Sequence, residues 1–291
     1  MKMNIILFSR KELKHRPEQL RTIIESITRH GLEYSINEDF ANVIESLTGI
    51  SIDSKNRYKN FPKATGNDLL ITYGGDGTLL DAVELRPSAE TPIVGINCGR
   101  LGYLTADNGE GIEELFEHIT RGTLHLEHRQ LLSVKAEIEC GDKCLALNEV
   151  TIHRHGATMI SVEALVNDKH IATYHGDGII ISTPTGSTAY SLSAGGPIVD
   201  PMCSCLILSP LAPHNLTMRP IVIPDSSKIT LRLDARGGEV FLSSDNRTYT
   251  LKDKATIELR KADKGLILAT PHNNTFYDTL REKMMWGVDN R

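Results

Sequence analysis

Residues 73–78 read Tyr-Gly-Gly-Asp-Gly-Thr, directly behind the apolar run Leu69, Leu70, Ile71 and Thr72. Glycines allow a sharp turn and let the backbone approach a ligand without Cβ clashes. A loop of this kind, after a buried strand and before a helix, aims backbone N–H groups at an anion. Gly74, Gly75, Gly77 and Thr78 are therefore candidates to hold phosphate. The loop contains no lysine and is neither a G-x4-G-K-[ST] nor a G-x-G-x-x-G motif. Asp76 repels phosphate, so its chemistry must be different. It can hold a divalent cation on a nucleotide, or accept a hydrogen bond from a substrate hydroxyl. A carboxylate is a weak base at neutral pH, yet it orients a hydroxyl and takes the proton late, as the bond to phosphorus forms.

A second stretch, residues 175–197, reads HGDGIIISTPTGSTAYSLSAGGP. An apolar strand runs into hydroxyls and glycines, flanked by Asp177 and Tyr190. Capping a helix takes one hydroxyl, whereas seven Ser and Thr fall within residues 182–193, which favours hydrogen bonding to a ligand. No Ser-His-Asp arrangement or G-x-S-x-G elbow is present, so a hydrolase is unsupported. A third piece is Asn148-Glu149. Neighbours on a regular strand point to opposite faces unless a strand end or bulge re-aims one. Taken alone, this pair leaves structural and functional readings both open.

The elements that must position these residues change character along the chain. Residues 3–8 form a short apolar run of the buried parallel-strand type. Pro17 opens a helix with Leu20, Ile23, Ile24 and Ile27 at helical spacing, stopped by His30-Gly31. Phe40, Val43, Ile44 and Leu47 repeat the pattern before Gly49. Residues 50–67 read as a connection. Then follow a strand at 68–72, a helix at 78–85, a strand at 92–97 and a helix at 113–121 closed by Gly122. This alternation predicts an α/β domain with a Rossmann-like parallel sheet over residues 1–123. Beyond residue 123 short alternating runs take over, at 133–138, 162–166, 171–174, 228–233, 239–242 and 256–259, with hairpin-turn chemistry at 167–170. They predict an all-β, sandwich-like domain over 124–270. Residues 274–286 return to helical spacing, so the tail 271–291 is expected to rejoin the first domain.

The 291 residues are 40% hydrophobic and 24% charged, an ordinary globular balance with room for two domains. A net charge of -5 gives no reason to expect a nucleic-acid partner. No apolar stretch approaches the roughly 20 residues that span a bilayer, and the apolar segment of the first residues is too short for a signal peptide and has no small-residue cleavage site. No membrane partner and a cytoplasmic location are the expectation. Five cysteines, an odd number, argue against a disulfide framework. Cys140-x3-Cys144 and Cys203-x-Cys205 miss the usual zinc spacing, so reduced, packed thiols are expected. His153-x-His155 reads as one strand.

Together these pieces resemble the NAD kinase family of the bacterial type. The resemblance rests on GGDGT at 74–78, NE at 148–149 and the GDG…STPTGSTAY…GGP run at 176–197, with INCGRLGYL at 96–104 and TFYDTLREKMMWG at 275–287. GGDGT alone is shared with lipid kinases; the hydroxyl run is the specific part. The resemblance implies transfer of the ATP γ-phosphate, with a divalent cation such as Mg²⁺ brought by ATP, to the 2′-hydroxyl of the adenosine ribose of NAD. It implies an α/β domain plus a β domain, and a homo-oligomer, dimer or tetramer. Asp76 would meet the acceptor hydroxyl, and residues 74–78 with Arg100 would meet the phosphates. NAD would be contacted by Asn148, Glu149, Tyr103, His175, Thr185, Thr188, Ala189, Tyr190 and Ser193. Asp177 would lie near the nicotinamide or across an oligomer contact. The chain departs from the family at Asp245-Asn246-Arg247, where Asp-Gly-Gln is frequent, which would place Arg247 at NAD in place of glutamine. His175 replaces an arginine before the second GDG. A lipid kinase sharing GGDGT and a non-catalytic NAD-binding regulator are the alternatives.

Overall fold

Strands covered on both faces lose the alternation of half-buried ones, and the start of this chain shows it: Ile5, Ile6 and Leu7 are all fully buried. The computed structural model describes residues 3–99, 102–105, 111–137, 144–271 and 275–287; Arg100 and Cys140 lie outside them. It divides into two compact units, Met1–His128 with Leu266–Arg291, and Arg129–Gly265.

The first unit is built on a seven-stranded sheet in the order Arg57–Tyr58, Glu33–Asn37, Asn4–Phe8, Asp68–Tyr73, Ile93–Ile96, Leu266–Thr270, His125–Arg129. The pairings from Arg57–Tyr58 through Leu266–Thr270 are parallel. Helix Pro17–Arg29 buries Leu20, Ile23, Ile24 and Ile27. Helix Glu38–Thr48 begins at Asn37, whose side chain accepts from the Phe40 N–H, and stops at left-handed Gly49. Residues 50–67 are more than a connection. They hold a 3-10 turn, Ser54–Asn56, and a two-residue strand at the sheet edge. So short a strand has no readable period; it exists through pairing and through the Tyr58 hydroxyl, which donates to the Leu7 carbonyl at 3.0 Å. The strands His125–Arg129 and Leu266–Thr270 both join this sheet, which carries the unit boundaries past residue 123 on one side and before residue 270 on the other. Helix Phe276–Met284 follows, started by a capping box between Thr275 and Asp278.

The second unit holds two six-stranded sheets. One runs Lys169–Gly176, Ile160–Val166, Ile229–Asp234, Thr256–Lys261, Leu132–Lys135, Cys144–Ala146; the other runs Ile221–Pro224, Cys205–Leu211, Gly178–Ser182, Glu149–Arg154, Val240–Ser244, Arg247–Leu251. Their pairings are antiparallel, and alternate residues such as Val162, Ala164, Leu231, Leu233, Ile257 and Leu259 fill one apolar core. The hairpin turn is tighter than its composition suggests. Only Asn167 and Asp168 turn, with φ of 50° and 63°, while Lys169 already belongs to the strand.

Among the described residues no helix is long and apolar enough to cross a membrane. Cys98, Cys144, Cys203 and Cys205 carry free thiols; Cys203 is exposed, contrary to the packed state expected of it. Leu231 is fully buried in the second unit, so Leu231→Ala is expected to cost about 2–5 kcal/mol, read as a lower urea midpoint with an unchanged slope.

Candidate functional site

Strand Asp68–Tyr73 ends in the glycine loop, and the helix after it spans Asp76–Leu85, two residues earlier than its hydrophobic pattern suggests. The Gly74 N–H donates to the Ile96 carbonyl at 2.9 Å, tying the loop to the neighbouring strand. Asp76 opens the helix and points at the second glycine-bearing loop. Its Oδ2 accepts the Tyr103 N–H at 2.7 Å. Its Oδ1 accepts the N–H groups of Leu104 and Thr105 and the Thr105 hydroxyl, each at 3.2 Å. Gly102 makes this possible, since a Cβ there would lie 1.7 Å from Asp76 Oδ1. Thr105 Oγ1 accepts in turn from the Gly102 N–H at 3.0 Å and from Asn97 at 2.9 Å. The acid among the glycines thus joins two loops into one rigid edge at the C-terminal ends of parallel strands, where open α/β sheets bind ligands.

Tyr103 shares this edge. Burial and the nearby Asp76 charge push its phenol up, and Lys283 Nζ stands 5.6 Å from its ring centroid. From the far side comes Arg10, two residues past strand Asn4–Phe8. It pairs with Asp81 and donates from Nη2 to the Gly77 carbonyl at 2.9 Å. Neither cation stands out in the sequence. The one signal for Arg10 is its place just beyond a buried parallel strand.

In the second unit, Glu149 is the first residue of strand Glu149–Arg154 and Asn148 lies just before it. The strand end re-aims the pair. Asp245 holds this turn: its carboxylate accepts the N–H groups of Leu147 at 2.8 Å, Asn148 at 2.9 Å and Glu149 at 3.1 Å. Its own N–H donates to the Glu149 carbonyl at 3.0 Å. Burial pushes the Asp245 carboxyl up, against the pull of those three amides and of Arg247. The hydroxyl-rich stretch packs on the same turn. Thr183 donates through Oγ1 to the Leu147 carbonyl at 2.6 Å and through N–H to the Asn148 carbonyl at 2.9 Å. A Cβ at Gly186 would lie 2.1 Å from the Asn148 carbonyl oxygen, so only glycine fits.

This packing strongly changes Glu149. Its Oε2 is closed off from solvent and has no hydrogen-bond partner among the described residues. Burial, and then the Asp245 charge, push its pKa up to about 8, opposed by the Tyr190 N–H. A neutral carboxyl both donates and accepts, which suits the two hydroxyls of a ribose.

The hydroxyls of 182–193 divide into two sets. Ser182, Thr183, Ser187 and Ser191 are buried and bonded within the unit, to the Thr183 carbonyl, Leu147, Val199 and Ser209 respectively. Thr185 is buried as well, with Arg129 Nη1 at 3.5 Å. Thr188 and Ala189 are half-buried, while Tyr190 and Ser193 are exposed. Counting hydroxyls therefore overstates the number facing a ligand. Asp177 and His175 stand apart from this cluster. Strand Gly178–Ser182 pairs Ser182 with Glu149 and Gly178 with His153, which puts Asp177 roughly 15 Å along the strand from Glu149. Asp177 pairs with Arg154, and exposed His175 bonds Ser161 at 2.8 Å. Arg247 donates to the Leu145 carbonyl at 2.5 Å, so its guanidinium braces the strand before the Asn148 turn.

Residues 7–124 match the family model "ATP-NAD kinase N-terminal domain", and residues 147–270 match "ATP-NAD kinase C-terminal domain". The NAD kinase of Bacteroides fragilis is 36% identical over 297 residues, covering 99% of this chain and 100% of that protein. The NAD kinase of Flavobacterium johnsoniae is 37% identical, covering 94% of each. Among solved structures, an Archaeoglobus fulgidus NAD kinase in complex with ATP aligns with a TM-score of 0.74 and 26% identity, over 97% of this chain and 99% of that one. A yeast NADH kinase complexed with NADH shares the fold with a TM-score of 0.83 at 22% identity, over 100% of this chain and 89% of that one.

Two measurements check this geometry. Asp245→Ala strands three amides and is expected to cost about 1.5–3 kcal/mol by urea denaturation. The raised Glu149 pKa favours the folded state at low pH, and that contribution is lost as pH rises from the ordinary carboxyl range through about 8. The melting temperature of the unaltered protein, relative to Glu149→Gln, should accordingly fall across this window; a constant difference would place an ionised Glu149 in the folded protein.

Proposed function

The chain belongs to the NAD kinase family, and from that premise we propose how its residues share the transfer of the ATP γ-phosphoryl group to the 2′-hydroxyl of the adenosine ribose of NAD. The activity follows from the two family domains and from relatives that match nearly the whole chain. A lipid kinase or a silent NAD-binding regulator is not favoured. The observation that carries the acceptor side is the shielded Oε2 of Glu149, without a hydrogen-bond partner among the described residues, together with half-buried Thr188 and Ala189 and exposed Tyr190 and Ser193. Asn148 and Glu149 grip the adenosine part, and those four residues line its pocket.

The phosphoryl side belongs to Gly74, Gly75, Gly77 and Thr78. Asp76 Oδ1 is occupied by three donors, whereas among the described residues Oδ2 has only the Tyr103 N–H. Each carboxylate oxygen offers about two lone-pair sites, so Oδ2 is the atom left to accept the ribose hydroxyl. As that oxygen bonds to the γ-phosphorus, its proton passes to Asp76 and the bond from phosphorus to the bridging oxygen of ADP breaks. Both Asp76 oxygens already serve the loop, and the described residues gather no cluster of three His, Cys, Asp or Glu. This donor set fits a Mg²⁺ ion carried on the triphosphate, which would neutralise phosphate charge there. Asp177 and His175, far along the strand from Glu149, suit an oligomer contact better than the adenosine pocket. Exposed Ile171, Ile221 and Val222 on the two edge strands support a homo-oligomer. A cytoplasmic location accords with this substrate pair.

Purified protein with NAD, ATP and Mg²⁺ is expected to form NADP. Asp76→Asn keeps one acceptor oxygen for the loop and is expected to melt cooperatively while losing about 10²-fold or more in kcat. Near-normal turnover in that variant would remove Asp76 from the proton transfer.

A further inference from the structure

The glycine loop carries no lysine, yet a triphosphate brings several negative charges to it. Arg10 is placed to answer them. Its Nη2 donates to the Gly77 carbonyl and its Nε pairs with Asp81, one helical turn further on, so the plane of the guanidinium is set by two contacts. Gly77 leaves the room: a Cβ there would stand 3.2 Å from Nη1 and 3.7 Å from Cζ. Nη1 itself makes no hydrogen bond among the described residues, and the side chain is 39% exposed. The backbone that carries it is anchored. Ser9 Oγ donates to the Tyr73 carbonyl at 2.7 Å and bonds His15 Nε2 at 3.0 Å. The His15 ring stacks on Tyr73 and Phe40 at centroid distances of 5.8 and 5.7 Å. A planar guanidinium with fixed orientation and an open N–H edge matches phosphate oxygens better than a point charge does.

We propose that Arg10 is the cation of this phosphate site: its open Nη1 edge binds a phosphate oxygen of the triphosphate donor, while Asp81 and the Gly77 carbonyl act as positioning groups. This rests on the donor lying at residues 74–78. The charge comes from the strand beside the loop, so the loop can keep its acid for the acceptor hydroxyl.

Steady-state kinetics with ATP and NAD varied separately test the assignment. Arg10→Gln is expected to raise KM for ATP about tenfold and to leave KM for NAD within about twofold. Arg10→Lys, which keeps the charge, should recover most of that loss, and Lys11→Gln, an exposed cation on the same segment, should move neither constant. An unaltered enzyme that makes no NADP would sink the proposed activity, a failure separate from this one. Equal shifts in both constants, a shift for NAD alone, an equal effect from Lys11→Gln, or no shift in a cooperatively melting Arg10→Gln would each overturn the role of Arg10. If Arg10→Gln does not fold, phenylglyoxal labelling of Arg10 in the unaltered enzyme decides. Protection by ATP and not by NAD supports the assignment; equal or absent protection refutes it.

Discussion

Two carboxylates, each accepting three successive backbone N–H groups, hold the functional loops in place. Asp76 gathers the amides of Tyr103, Leu104 and Thr105 in one unit, and Asp245 gathers those of Leu147, Asn148 and Glu149 in the other. Loop amides left unpaired away from water each cost about 1–3 kcal/mol, so an acid that takes three of them decides where the loop lies. The neighbouring glycines follow from this. Gly102 must lack a side chain for Asp76 to reach its amides, and Gly186 must lack one for the hydroxyl-rich stretch to close on Asn148.

Holding loops with half-buried acids changes the charge of their surroundings. Burial, and then the Asp245 charge, make Glu149 hard to ionise, and a neutral carboxyl can donate as well as accept. Around Asp76, cations come from outside the glycine loop: Arg10 from the segment after the first strand, and Lys283 from the last helix. Under the proposed assignment, a phosphate-binding charge separate from the glycines would let one short loop serve donor and acceptor without a lysine neutralising its acid.

Several elements were legible because the forces behind them are local. Pro17, the 20-23-24-27 spacing and Gly31 describe a helix whose inward face is set by its own period. Alternation along 228–233 and 256–259 likewise reports half-buried strands. The strand Arg57–Tyr58 was invisible because two residues have no period, and the early helix start at Asp76 because glycine and aspartate contribute nothing to an apolar pattern. The hydroxyl run misled in part. Type and spacing cannot tell Ser191, bonded to Ser209, from Ser193, which faces outward.

Residue types alone determined that a glycine loop with an acid follows a buried strand, that an α/β region gives way to a β region, and that the motifs together resemble NAD kinases. Those features depend only on neighbours in the chain. Tertiary structure decided which atoms of the motifs are free. Leu104 and Thr105, 28 and 29 residues away, occupy Oδ1 of Asp76, the Tyr190 N–H meets the Glu149 carboxyl, and Asp81 and Gly77 take Nε and Nη2 of Arg10, which leaves Oδ2, Oε2 and Nη1 with capacity among the described residues. A hydrogen bond satisfies one lone pair or one N–H at a time, and chain order does not say which partner arrives.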